Sequence, residues 1–300
     1  MKSRFAQMAG TVSAWFDSEA RVAAGADPRR IDWLRQVPFI AIHAGCLLLP
    51  WVGVSRRVVV VAAALYVVRM FAITAFYHRY FAHHAFRASR AAQFAFALLG
   101  ASAAQRGPLW WASHHRHHHV HSDTPEDSHS PARHGFAWSH LGWFMAQRNF
   151  RTRTDLVNSF AQYPELRFLD RWDVLVPLAL VAVLYAAGGA QLVVWGFCVS
   201  TVLLYHATFC INSLAHRVGT RRYATRDESR NNFWLALLTF GEGWHNNHHH
   251  YPASARQGFY WWELDVTYLG LKAMEKAGIV HSLRPVPLAV RDRNHARDAA

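Results

Sequence analysis

Residues 58–83 read VVVVAAALYVVRMFAITAFYHRYFAH. The stretch from Val58 to Tyr77 carries a single charge, Arg69. A bilayer core is crossed by about 20 apolar residues in a helix. No glycine or proline separates that run from His78 and His83, so one helix is expected to leave the bilayer and continue to about His83. A membrane helix that emerges directly into imidazoles sets two questions: what else crosses the membrane, and what the histidines hold.

Three further runs match the first in character. Pro38 to Val54 is free of charge, and Val174 to Ala187 and Leu192 to Ile211 are joined by Gly188-Gly189. The four runs predict an all-α integral membrane protein of four transmembrane helices in two hairpins. The spans fall near 37–54, 58–77, 174–187 and 191–211. A large soluble helical core is the alternative, and the length and purity of the runs disfavour it. Arg69 inside a span either snorkels or pairs with a polar group. Six Lys and Arg precede the first span, whereas the first hairpin turn has Arg56 and Arg57 and the second has none. The segment 78–173 and everything after 212 are rich in arginine. The positive-inside rule therefore places both termini and a helical cap in the cytoplasm, at the inner membrane if the cell is bacterial. The domain reading is an N-terminal interfacial segment (1–36), one membrane domain (37–284) and a disordered tail (285–300).

On the cytoplasmic side stand two more histidine boxes, HRHHH from His115 and HNNHH from His245. Each has histidines at i, i+3 and i+4, which lie on one helix face. With HRYFAH the boxes offer eight imidazoles, more than the four ligands of a closed zinc site, and they suit two metal ions side by side. His78 and His83 are the awkward pair. Five residues apart, they point about 140 degrees from each other on a regular α-helix, so a shared metal needs a bend or a helix end. A lone histidine is ordinarily a satisfied polar residue. Three boxes among Trp, Tyr and Phe are not a low-complexity metal buffer. The acids Asp123, Glu126, Asp127, Glu228 and Glu242 lie near the boxes and can orient the imidazoles or be solvated loop residues.

Other features exclude more than they assign. Cys46, Cys198 and Cys210 all fall in apolar runs, so neither a disulfide framework nor a four-cysteine iron–sulfur cluster is expected. The net charge of +13 fits the topology, anionic lipid heads and docking of an acidic redox protein. No motif supports nucleic-acid binding.

The stretches ITAFYHRYFAHHAF, QRGPLWWASHHRHHHVHSDTPED, INSLAH and GEGWHNNHHHYP resemble the membrane fatty acid desaturases, above all bacterial Δ9-type enzymes and animal stearoyl-CoA desaturases. The likeness covers about residues 35–285. It implies a di-iron site, with zinc able to occupy the same cage. One iron takes His78, His83, His115, His119 and His248. The other takes His118, His216, His245 and His249, with Asn212 through water. His84, His114, His117, His121 and His250 fall outside that set. The resemblance also places Gln105, Trp111 and Thr208 at the bend of an acyl tunnel, and Arg148 at a CoA-facing position. Two residues depart from the pattern. Ser113 stands where the animal enzymes carry an arginine that reaches CoA, and Phe76, where related bacterial sequences commonly have glycine, is placed to narrow the tunnel.

The implied reaction inserts a cis double bond, Δ9, into a saturated C16–C18 acyl chain, using dioxygen and two external electrons. The substrate is an acyl-CoA or an acyl-lipid drawn from membrane lipids. The electrons come from a separate donor of ferredoxin or cytochrome b5 type with its reductase. A di-iron hydroxylase of alkanes, sterols or carotenoids is the rival enzyme, and a metal transporter or store the rival outside catalysis.

Overall fold

In the computed structural model, residues 10, 12–19 and 29–293 are described. The chain is mostly helical, with one short antiparallel pair, β1 (Arg87–Ala88) and β2 (Val280–His281). Among the described residues two helices are long and apolar enough to cross a membrane, Arg56–Ala82 (α2) and Leu175–Ser213, and Val37–Val52 (α1) is a shorter apolar helix. Helix α2 starts at Ser55, whose hydroxyl accepts the Val58 N–H, the usual way a serine satisfies an otherwise orphaned donor.

The helix Leu175–Ser213 is interrupted. Gly188 (φ −172°) and Gly189 (φ 61°) leave helical geometry between Leu175 and Leu192 (α6), and Gly189 supplies a positive φ that residues with a Cβ resist. Beyond the break, Gly196 lies against the Leu184 side chain, so the chain turns back on itself. A π-helical stretch, Val193–Val199, leads into Ser200–Ser213 (α7). The sequence leads one to expect helix through His216, but it ends at Ser213 and residues 214–217 form a turn.

Arg69 does not snorkel. Its side chain is 1% exposed and donates to Leu65 O (3.1 Å), Ser102 O (3.3 Å), Thr201 Oγ1 (2.7 Å) and Ser200 Oγ. Carbonyls and hydroxyls from its own helix and from two other stretches of chain satisfy the guanidinium, which makes Arg69 a strut between α2 and the start of α7. Phe76 is also buried, but it stacks on Phe96 at 3.8 Å and packs edge-on to Phe71, away from the cavity described below.

Further helices include Arg90–Ala101 (α3), Pro108–His121 (α4), Pro164–Arg171 (α5), Phe233–Leu238 (α8), His245–His250 (α9) and Val266–Lys276 (α10). Helix α4 carries the second box and is set from outside. Asp170 of α5 accepts the N–H groups of Leu109 (2.9 Å) and Trp110 (2.7 Å), two of the donors its first turn leaves open. Of the segment 285–300, residues 285–293 are described and are mostly exposed. Leu288–Arg291 forms a helical turn, and the Arg291 carbonyl accepts from Tyr223 Oη at 2.7 Å. Residues 294–300 lie outside the described residues, as do most of 1–28.

Candidate metal centre

The first box resolves its own geometric problem. From Ala72 to Ala82 the helix is π-wound, and the His83 N–H donates to the His78 carbonyl at 3.2 Å. An i to i+5 repeat places residues five apart on one face, where an α-helix would splay them. The two rings stand 4.9 Å apart and look at the same point.

Around that point the Nε2 atoms of five histidines close on one another: His83 to His115 (2.8 Å), His115 to His119 (3.0 Å), His119 to His248 (2.9 Å) and His248 to His78 (3.0 Å). A second group, His118, His216, His245 and His249, gathers beside it, with His216 and His245 Nε2 atoms 3.0 Å apart. All nine histidines are thus brought into two clusters from α2, α4, α9 and the turn after α7. His84, His114, His117, His121 and His250 belong to neither. His114 is tied to the Arg151 carbonyl, and His250 stacks on Tyr223 at 3.9 Å.

Carboxylates fix which nitrogen faces inward. The Nδ1 atoms of His216, His118 and His249 meet Asp123 (2.9 Å), Asp127 (3.0 Å) and Asp227 (2.7 Å), and His78 Nδ1 meets Glu242. A neutral imidazole that donates through Nδ1 has a bare lone pair on Nε2. Lone pairs gathered at one point in this way suit a cation placed among them. Nitrogens bound at about 2.0–2.1 Å to one metal stand roughly 3 Å apart, so the spacing fits two metal ions. Burial, then neighbouring imidazoles and cations, holds His83, His115, His119, His245 and His248 well below the usual histidine range, so they are neutral at pH 7. Burial would raise the carboxyls of Asp123, Asp127 and Asp227, but the facing histidines outweigh it and each is held well below the usual carboxylate range.

Of the five acids near the boxes, three orient histidines. Glu126 instead accepts from Thr124 and Glu228 pairs with Arg221 and Arg230 at the surface. The sequence reading missed Asp227, Gln257, whose amide reaches both His78 Nδ1 and Glu242, and His129, whose ring lies 4.3 Å from His118.

A cavity of about 360 Å³ ends at the clusters. Gln105, Trp111, Thr208 and Asn212 line it, and His115 and His129 close that end. Trp111 Nε1 donates to Gln105 Oε1 (3.3 Å) and Gln105 Nε2 to Thr208 Oγ1 (2.8 Å), so three of the expected tunnel residues form one hydrogen-bonded chain. The rest of the wall is largely apolar, including Phe39, Phe144 and Phe197. Arg35, Arg106 and Asp173, which the sequence did not flag, also line it. Arg148 is off the wall, its guanidinium 6.0 Å from the Trp138 ring. Ser113 is wholly buried and bonded to the Trp110 carbonyl.

A largely helical chain with two imidazole clusters that could each hold a metal ion, set against an apolar cavity, suits an enzyme acting on a long apolar substrate. A fatty acid desaturase profile matches residues 55–282. Named relatives agree. The sn-1 stearoyl-lipid 9-desaturase of Anabaena variabilis is 35% identical over 271 residues, which is 88% of this chain and 97% of that protein. The chloroplastic palmitoyl-monogalactosyldiacylglycerol delta-7 desaturase of Arabidopsis thaliana is 39% identical over 249 residues, 82% and 67% of the two chains. The icosanoyl-CoA 5-desaturase of Limnanthes douglasii is 38% identical over 231 residues, 76% and 65%. The chain belongs to the fatty acid desaturase family.

Proposed function

We propose that this fatty acid desaturase holds two iron ions and inserts a cis Δ9 double bond into a C16–C18 chain borne on a membrane glycerolipid. The observation that carries the reading is the pair of inward-facing imidazole clusters at the end of an apolar cavity. His78, His83, His115, His119 and His248 would hold one iron. His118, His216, His245 and His249 would hold the other, with Asn212 through water. When bound, the irons supply the oxidising power for removing two hydrogens, drawn from dioxygen and two electrons of a separate ferredoxin- or cytochrome b5-type donor. The saturated chain, dioxygen, two electrons and two protons give the alkene and two waters.

The protein's own groups do the positioning. Asp123, Asp127, Asp227 and Glu242 hold each ring they meet with Nε2 inward. Gln105, Trp111 and Thr208 fix a polar kink in an apolar channel, so the acyl chain has one way to bend there. The aromatic walls exclude water from the oxidising centre. A glycerolipid carrier is favoured by the named lipid desaturases and by Ser113, too deeply buried to present a CoA-binding group. Acyl-CoA is the other outcome of the test, and Arg148 would then be the candidate CoA contact.

The topology belongs to the same reading. The break at Gly188–Gly189 and the apolar α1 support four spans in two hairpins, within a membrane domain of 37–284. Both termini and the cap then face the cytoplasm. Expression in a desaturase-deficient host, with double bonds located by mass spectrometry and lipid classes separated, is the test. New Δ9 chains in glycerolipids are expected. A hydroxylated product, or none from folded protein supplied with a reductase system, overturns the reading.

A further inference from the structure

His84 follows His83 directly but faces the other way. Its backbone is in the left-handed region (φ 50°), a conformation that non-glycine residues seldom adopt and that collects at functional sites. The consequence is that His83 turns into the five-histidine cluster while the half-buried His84 turns toward a surface pocket of about 320 Å³. Two of its neighbours fix the ring. Phe160 stacks on it at 4.6 Å, and Arg116, the residue after His115, reaches His84 Nε2 at 2.7 Å. Arg116 is itself held by the carbonyls of Phe81, Ala82 and Leu156 at 2.7–2.8 Å. One covalent step therefore joins this pocket to the cluster, His84 to His83, and a second path runs through the Arg116–His84 contact and the step from Arg116 to His115.

The pocket is basic. The β1–β2 pairing sets Arg87 opposite His281, and the Arg284 N–H donates to the Ala85 carbonyl beside them. Arg90 is neutralised by Glu165 in a two-point pair. Among the described residues neither Arg87 nor Arg284 meets a carboxylate. Gln93, 3% exposed, lines the pocket and keeps a buried amide N–H without an acceptor. Arg106 on the wall of the acyl cavity differs, since it pairs with Asp173.

We propose that this pocket docks an acidic one-electron carrier protein, whose electrons enter at the His84–His83 and Arg116–His115 junctions. The inference rests on the desaturase reading, which requires two electrons per turnover. The carrier is oxidised by one electron at each docking, and two dockings serve one double bond. Carboxylates of the carrier meet Arg87, Arg284 and His281.

The test is direct binding of a plant-type [2Fe–2S] ferredoxin to the full chain in nanodiscs, at low and moderate salt. Arg87→Glu with Arg284→Glu is expected to raise Kd at least tenfold and to flatten its salt dependence. Arg87→Gln with Arg284→Gln should give a smaller rise. The pair Arg56→Glu and Arg57→Glu, at the far end of α2, should leave Kd within twofold. Wild-type turnover with the same ferredoxin is measured alongside, and its absence would count against the desaturase reading alone. If wild type turns over but binds ferredoxin no more tightly than the Arg87/Arg284 reversal, or not at all, the docking site is wrong.

Discussion

Asp227 makes the sharpest test of the second cluster, because it acts on one histidine and on one side of the centre. Its Oδ2 accepts the His249 Nδ1 proton at 2.7 Å, and both side chains are largely buried. The His249 Nε2 that this bond turns inward has no other partner. Replacing Asp227 by Ala removes a hydrogen bond to a charged acceptor, about 1.5–3 kcal/mol. At roughly 1.4 kcal/mol per tenfold, that is a loss of about 10- to 100-fold in affinity, the range seen when such orienting partners are removed. Asp227 also caps its own loop by accepting the Ser229 N–H at 3.0 Å, so Asp227→Asn, which keeps an acceptor, is run in parallel to separate loop damage. The assay is competitive metal titration against a chelator, with metal per chain counted by mass spectrometry. Wild type should take up two ions. Asp227→Ala should keep the five-histidine site, whose Glu242 and Gln257 are untouched, and lose the other at limiting metal. Two ions held with unchanged competition would refute the claim that Asp227 sets the direction of His249.

Three other outcomes are expected. Gln105→Leu breaks the link between Trp111 and Thr208 and should yield a mixture of double-bond positions by mass spectrometry; one product at the wild-type position and rate would remove Gln105 from the bend. Gly107→Ala puts a Cβ about 2.4 Å from the Asp170 Cα, an overlap costing about 1–3 kcal/mol. Since α4 carries three of the histidines, metal content should fall with Tm, and a wild-type Tm and metal count would contradict this packing. Asp170 itself is pushed up to about 6 by burial, against the pull of Thr152 and the Trp110 N–H. A carboxyl that stays protonated to higher pH in the folded state binds more protons there than when unfolded, so its contribution is present below about pH 4 and lost as pH rises through 6. Such a rise in pKa corresponds to about 3 kcal/mol. The difference in Tm between wild type and Asp170→Asn should therefore change across pH 4 to 7, and a constant difference would show that Asp170 titrates elsewhere.

What the sequence made legible and what it hid separate along a physical line. The histidines stood out because three boxes with helical spacing are improbable as surface polarity, and the spans because apolar runs free of charge have few other uses. His216 and Asn212 lie in no box and emerged only through family likeness. The π-winding from Ala72 to Ala82 was not readable: nothing in AITAFYHRYFA departs from α-helical composition, and the spacing of His78 and His83 signalled only that an α-helix would not serve. That signal was still useful, since an odd spacing between two candidate ligands implies irregular backbone between them. Asp227 was hidden for a different reason. It sits in a loop with Arg226, Glu228 and Arg230, where composition cannot distinguish an acid that turns toward a buried imidazole from one that pairs with a surface arginine, as Glu228 does. Arg69 is the converse case. Its position in a span marked it as expensive, but its partners, Ser200 and Thr201, lie more than a hundred residues away and are ordinary in composition. Spacing thus records the eight histidines of the boxes, while the orientation of their rings is set by contacts between distant segments. The residues that turn nine histidines into two inward-facing clusters are therefore the ones the sequence reveals least.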